Sequence, residues 1–138
     1  MGGWVCLKAL QKLPTVKKGF ALSTWNIYSD FKNIKTEQQI IKKVKEEGGE
    51  IFVLNTPTKT IYESIIKAPD YFNLVNDAKK LSDKQIIMLD EHANNKEIAA
   101  SIKGANKSYF DYEVWQTDHP FTNKRISLIN MVLAFLDR

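Results

Sequence analysis

A single cysteine, Cys6, stands among 138 residues, so no internal disulfide framework can staple the chain. That usage suits a reducing compartment, and Cys6, set in an apolar helical pattern, reads as a small buried hydrophobe rather than a nucleophile. Arginine is almost as scarce: Arg125 and Arg138 are the two present. The lysines are dispersed, with Lys17-Lys18, Lys42-Lys43-Lys45 and Lys79-Lys80 each beside acidic or apolar neighbours. The formal charge of +4 and pI near 9.1 therefore indicate a solvated surface, and no nucleic-acid partner is expected. No apolar run approaches membrane-spanning length, and no charged region followed by an apolar stretch opens the chain. A soluble, cytoplasmic protein without a membrane partner is expected. The two histidines, His92 and His119, lack His-x-x-x-His spacing, so no metal and no cofactor is expected.

What is present is apolar content of 43 %, enough in a chain of this length for one domain with a real core. Residues 2–13 read as a helix, with Val5, Leu7, Ala9, Leu10 and Leu13 apolar and Pro14 ending it. Residues 17–23 read as a short buried strand. From 24 to 81 the character shifts to lysine- and asparagine-rich, with helical patterns over 37–47, 61–67 and 71–81, punctuated by Gly48-Gly49, Pro57 and Pro69. Residues 84–89 are a compact apolar run ending in Asp90-Glu91-His92. Continuous apolar character, without alternation, marks a parallel strand covered on both faces. A helix over 94–103 follows, with Ile98, Ala99 and Ile102 as its stripe. An aromatic-rich strand over 109–115 and a last helix over 123–136 come next. In that helix Ile126, Ile129, Val132, Leu133 and Leu136 share one face.

Strand–helix–strand–helix in this order predicts an α/β fold with about three parallel strands and flanking helices. Ligands of such sheets gather at the carboxyl ends of the strands. Those ends carry Ser23, Asp90-Glu91 and His119. A histidine on a loop between a strand and a helix is held by rigid neighbours yet stays reachable, as catalytic side chains often are.

The run Asp118-His119-Pro120-Phe121-Thr122-Asn123-Lys124-Arg125 resembles the Asp-His-Ser-Phe-Ser-Asp-Lys-Arg type of histidine loop of the α/β-hydrolases, which precedes that family's last helix. At the other end, Met1-Gly2-Gly3-Trp4-Val5 resembles the tail of a nucleophile elbow, Gly-His-Ser-Met-Gly-Gly-Trp. The resemblance implies the C-terminal half of an α/β-hydrolase fold, with core at 1–23 and 82–138 and a cap-like helical insertion at 24–81. It implies a serine esterase or peptidase acting on a small ester or peptide substrate. His119 would be the general base, Met1 would match the residue whose N–H contributes to the oxyanion hole, and Gly2 would match the motif's last glycine. The serine itself would fall one residue before Met1, so this chain alone is expected to be inert.

The family takes its acid from the loop after the penultimate strand. Asp90 is the favoured match and Glu91 the alternative, with absence of a working acid a third possibility; an ungapped match would fall on Asn94. A capping or ion-pairing role is the structural alternative for Asp90. His92 reads as a helix-start or surface residue. Trp25, Tyr28, Phe31 and Tyr62 are candidates for substrate contact from the insertion, though aromatics at such spacing also serve as plain core. None of Ser23, Ser29, Ser82, Ser101, Ser108 and Ser127 has a Gly-x-Ser-x-Gly setting, and Ser23 lies nearest the expected site. A strand at 17–23 without its neighbour would leave an unpaired edge, from which self-association is expected. A non-catalytic interaction or regulatory module with the same elements is the competing expectation.

Overall fold

The computed structural model describes residues 1–46 and 56–138; Glu47 and the Gly48-Gly49 pair lie outside the described residues. The elements run α1 (Gly2–Lys12), β1 (Lys18–Leu22), α2 (Ile27–Phe31), α3 (Glu37–Glu46), α4 (Thr58–Lys67), α5 (Pro69–Phe72), a 3-10 segment (Leu74–Leu81), β2 (Gln85–Asp90), α6 (Lys96–Ala105), β3 (Tyr109–Val114) and α7 (Arg125–Leu136). The strands form one parallel sheet in the order β1-β2-β3, so this is a small α/β fold. None of the described helices is long and apolar enough to cross a membrane.

The chain divides into two compact units, Met1–Asn26 with Leu74–Arg138, and Ile27–Asn73. Leu74–Leu81, expected within the insertion, instead packs with α6 and α1 in the sheet-bearing unit. The helix expected over 71–81 is interrupted because Asn73 is extended (φ −84°, ψ 98°). In the second unit Phe31 and Tyr62 meet edge to face at 4.7 Å, beside buried Ile40 and Ile65. These two candidate substrate contacts are core residues there.

Central strand β2 is buried from Ile86 to Asp90, which accounts for its unbroken apolar run. On β1 the small residues Gly19 and Ala21 are buried, and they admit α1. A Cβ at Gly19 would lie 2.3 Å from Leu10 Cδ1. Gly3 marks a second close approach: a Cβ there would meet Thr24 Oγ1 at 2.4 Å and the Leu22 carbonyl at 2.6 Å, whereas one at Gly2 would meet nothing. The first turn of α1 thus lies against the carboxyl end of β1 only because position 3 has no side chain.

Two lysines are interior. Lys84, 3 % exposed, donates to the carbonyls of Val16 at 2.8 Å and Leu13 at 3.1 Å, closing the turn between α1 and β1. Lys8 pairs with Asp77, and Lys80 reaches the other Asp77 oxygen at 2.8 Å. Burial alone would raise the Asp77 carboxyl, but hydrogen bonds from Lys8 and Lys80 outweigh it and hold it below its ordinary range.

α7 differs from expectation. Its packing stripe is Leu128, Met131, Val132 and Phe135, of which Phe135 is fully buried against Phe20 (5.9 Å) and Tyr109 (6.2 Å). The face of Ile126, Ile129, Leu133 and Leu136 is more than half exposed. Lys18 Nζ donates to the Leu136 carbonyl at 2.7 Å, satisfying the last turn.

Two outcomes follow for stability. Gly3→Ala is expected to destabilise by about 2 kcal/mol through overpacking, while Gly2→Ala is neutral or stabilising by up to about 1 kcal/mol; urea denaturation of the pair measures the contrast. A carboxyl held below its unfolded value stabilises above about pH 4 and ceases to do so as pH falls through the folded value. Asp77→Asn should therefore cost about 3 kcal/mol at pH 7, by taking the carboxylate away from an interior Lys8. It should also remove part of the acid limb of the stability–pH curve, read by denaturation from neutral to acidic pH.

Candidate active site

Level register brings the three strand ends together. Leu22 lies opposite Leu89 and Asp90 opposite Val114, so Ser23, Glu91 and the loop after β3 start at one edge. Neighbouring residues of a strand point to opposite faces. At the end of β2 that rule separates two carboxylates. Asp90, 2 % exposed, turns inward: its Oδ1 accepts from the Thr24 N–H at 2.8 Å and its Oδ2 from Asn95 Nδ2 at 2.8 Å. Asn95 Nδ2 also donates to the Thr24 carbonyl at 2.6 Å. Glu91 turns the other way, toward the histidine loop.

Glu91 Oε1 lies 2.6 Å from His119 Nδ1, and its Oε2 accepts from Ser23 Oγ at 2.7 Å. Burial raises the Glu91 carboxyl, but the hydrogen bonds from His119 and Ser23 outweigh it and lower the pKa below the usual range. An ionised carboxylate only accepts, so Nδ1 must carry the proton, and in the neutral imidazole Nε2 is then the basic nitrogen. The His119 side chain is 74 % exposed against 9 % for Glu91, and no hydrogen bond engages Nε2 among the described residues. The expected partnership of His119 with Asp90 is thus replaced by one with Glu91, because both Asp90 oxygens are taken up by Thr24 and Asn95. Burial pushes the Asp90 carboxyl up, against the hydrogen bonds of Asn95 and Thr24. Burial and the Asp90 charge together push Tyr112 to about 12.

The loop carrying His119 is built by its neighbours. Asp118 Oδ1 accepts from the Thr122 N–H at 2.6 Å, which holds its carboxyl low. Phe121 adopts a left-handed conformation (φ 55°), is 3 % exposed, and packs edge to face on Trp115 at 6.2 Å. A buried aromatic ring in that backbone state anchors the loop and leaves the imidazole outside. Ser23 is the other left-handed non-glycine residue among the described residues, at φ 46°. That conformation costs about 1–2 kcal/mol outside glycine and is held by the Ser23 N–H to Leu89 carbonyl bond at 2.9 Å together with the Glu91 contact.

Ser23, Asp90, Glu91 and His119 line a pocket of about 200 Å³ with Met1, Thr24, Trp25, His92 and Asn94. It is smaller than the roughly 300–1,000 Å³ of sites that enclose a drug-sized ligand, so it suits a reacting group rather than a whole ligand. A larger depression of about 530 Å³, lined by Val114, Trp115, Gln116, Asn123, Lys124 and Ser127, holds no acid–base pair. Met1 precedes α1, whose first-turn N–H groups have no side-chain cap. Of the four candidate aromatics Trp25 lines the pocket; Tyr28 belongs to the second unit. The Ser23 hydroxyl, considered as a substitute nucleophile, is spent on Glu91 and not on the imidazole. Cys6 lies within α1, and burial raises its thiol pKa, which disfavours the thiolate.

Comparison with protein-family models, with curated proteins and with solved structures finds no match for this chain.

Glu91→Ala should free the ring. In the wild-type chain the neutral His119 imidazole is expected as the Nδ1–H tautomer, and ¹⁵N NMR of the variant should show a shift toward the Nε2–H form, which free imidazole side chains favour. An unchanged tautomer would contradict the assigned contact.

Proposed function

We propose that this chain carries the histidine–acid portion of a serine hydrolase acting on ester or amide bonds. The contact between Glu91 Oε1 and His119 Nδ1 at 2.6 Å is the observation that carries the reading. Nε2 would take the proton of an attacking serine hydroxyl and return it to the leaving group, while Glu91 holds the tautomer and stabilises the imidazolium. The resemblance of the two termini of the sheet-bearing unit to a nucleophile elbow and a histidine loop supports the α/β-hydrolase assignment. So does the parallel sheet that brings Met1 and His119 to one pocket. On this reading the attacking serine immediately precedes Met1, and the N–H of Met1 faces the developing oxyanion. The substrate is a small ester or peptide.

Two observations favour a second reading, a non-catalytic interaction module: among the described residues no hydroxyl or thiol is hydrogen-bonded to Nε2, and α7 presents an uncovered apolar face.

Expression with the in-frame codons upstream of Met1 separates the two. Under the hydrolase reading those codons supply Gly-x-Ser, and a fluorophosphonate probe labels the extended protein. Labelling is lost in His119→Ala, and falls further in Glu91→Gln than in any Asp90→Asn protein that remains folded. A stop codon or unrelated sequence there, or labelling of the present chain that depends on His119, would defeat the proposal.

A further inference from the structure

A helix that is apolar nearly all round belongs in an interior, yet α7 has only one of its faces packed. Between Arg125 and Asp137 it carries no charged residue. Its open face shows Ile126 at 78 %, Ile129 at 57 %, Leu133 at 55 % and Leu136 at 57 % exposure. Four large side chains in a line on a helix of 12 residues are more than scattered surface apolars.

The spacing says what would cover them. Positions 126, 129, 133 and 136 step by three, four and three residues, the a and d positions of a heptad. The series reads the same from either end. Set antiparallel to itself and centred at the level of Met131, the helix matches Ile126 with Leu136 of a second copy and Ile129 with Leu133. The same arrangement lays Arg125 of one helix beside Asp137 of the other, while Arg138 is turned onto the Tyr109 ring of its own chain at 4.4 Å, and it opposes the two helix dipoles favourably. A parallel pair would instead set Arg125 against Arg125 and Asp137 against Asp137. We infer that the exposed face of α7 is the seam of a two-fold homodimer built by antiparallel packing of Ile126, Ile129, Leu133 and Leu136.

The seam is isologous, as two-fold contacts require. One helix about 18 Å long offers less than the roughly 800 Å² per partner of a standard interface, so the dimer is concentration-dependent. This inference goes beyond the chemistry at His119 and does not need it, because its readout is mass.

Sedimentation velocity of the full chain from about 1 μM to about 1 mM should pass from monomer to dimer. Ile129→Lys with Leu133→Lys, both at exposed positions, should abolish the dimer with an unchanged far-ultraviolet circular dichroism spectrum. Arg125→Asp and Asp137→Arg should each weaken association about three- to tenfold, and the protein carrying both should return to wild-type affinity. A monomer throughout the range overturns the inference, as an α7 face reserved for a different polypeptide would give. So does a dimer that survives the double lysine variant, which would point to the β1 edge. Failure of the paired charge reversal to restore association overturns the antiparallel orientation.

Discussion

The buried carboxylate of Asp90 is the joint at the carboxyl end of the sheet. It accepts from the Thr24 backbone just beyond β1 and from Asn95 at the start of α6, so one ionisable group fixes the exits of two strands and the entry of a helix. A buried carboxylate is tolerated when its oxygens are occupied by donors, and its inward turn commits the next residue outward. Glu91 can face His119 because Asp90 faces the core. The candidate site is therefore a by-product of how β2 ends, and its acid and its structural anchor are adjacent in sequence.

This adjacency explains where sequence reasoning stopped. The three strands were legible from unbroken apolar runs, and α1, α6 and α7 from spacing and from Pro14 as a terminator. The placement of His119 at the carboxyl edge of the sheet was legible from its position between strand and helix. The choice between Asp90 and Glu91 was not legible, because β2 is buried on both faces and its pattern does not say which of the two carboxylates at its end is taken up by Thr24 and Asn95. The Ser23 contact was less accessible still, since its left-handed backbone leaves no compositional trace. In α7, periodicity identified an apolar face, but it could not say whether that face or its neighbour, with Phe135, would meet the sheet.

Charge was similarly half readable. Lys17 with Asp83 and Lys42 with Glu46 are the solvated pairs that composition suggests, and such exposed pairs contribute little. Lys8, Lys18 and Lys84 are different. They satisfy a buried carboxylate, a helix end and a turn, respectively. The positive net charge thus includes cations used as internal hydrogen-bond donors, which weakens any inference from charge to partner.

The two crossovers of the sheet have opposite freedoms. A parallel pair requires a long connection, and between β1 and β2 that connection contains a unit with its own core around Phe31 and Tyr62. The register of Lys18 with Gln85 onward is set outside it, so this insertion can lengthen, shorten or drift without shifting a strand. The crossover between β2 and β3 has no such slack. Asn106 Nδ2 holds the Leu81 and Lys84 carbonyls, and the Lys107 N–H holds that of Ser82. A change of length is absorbed in the first crossover, while the second is tied down at Asn106 and Lys107 beside the start of β2.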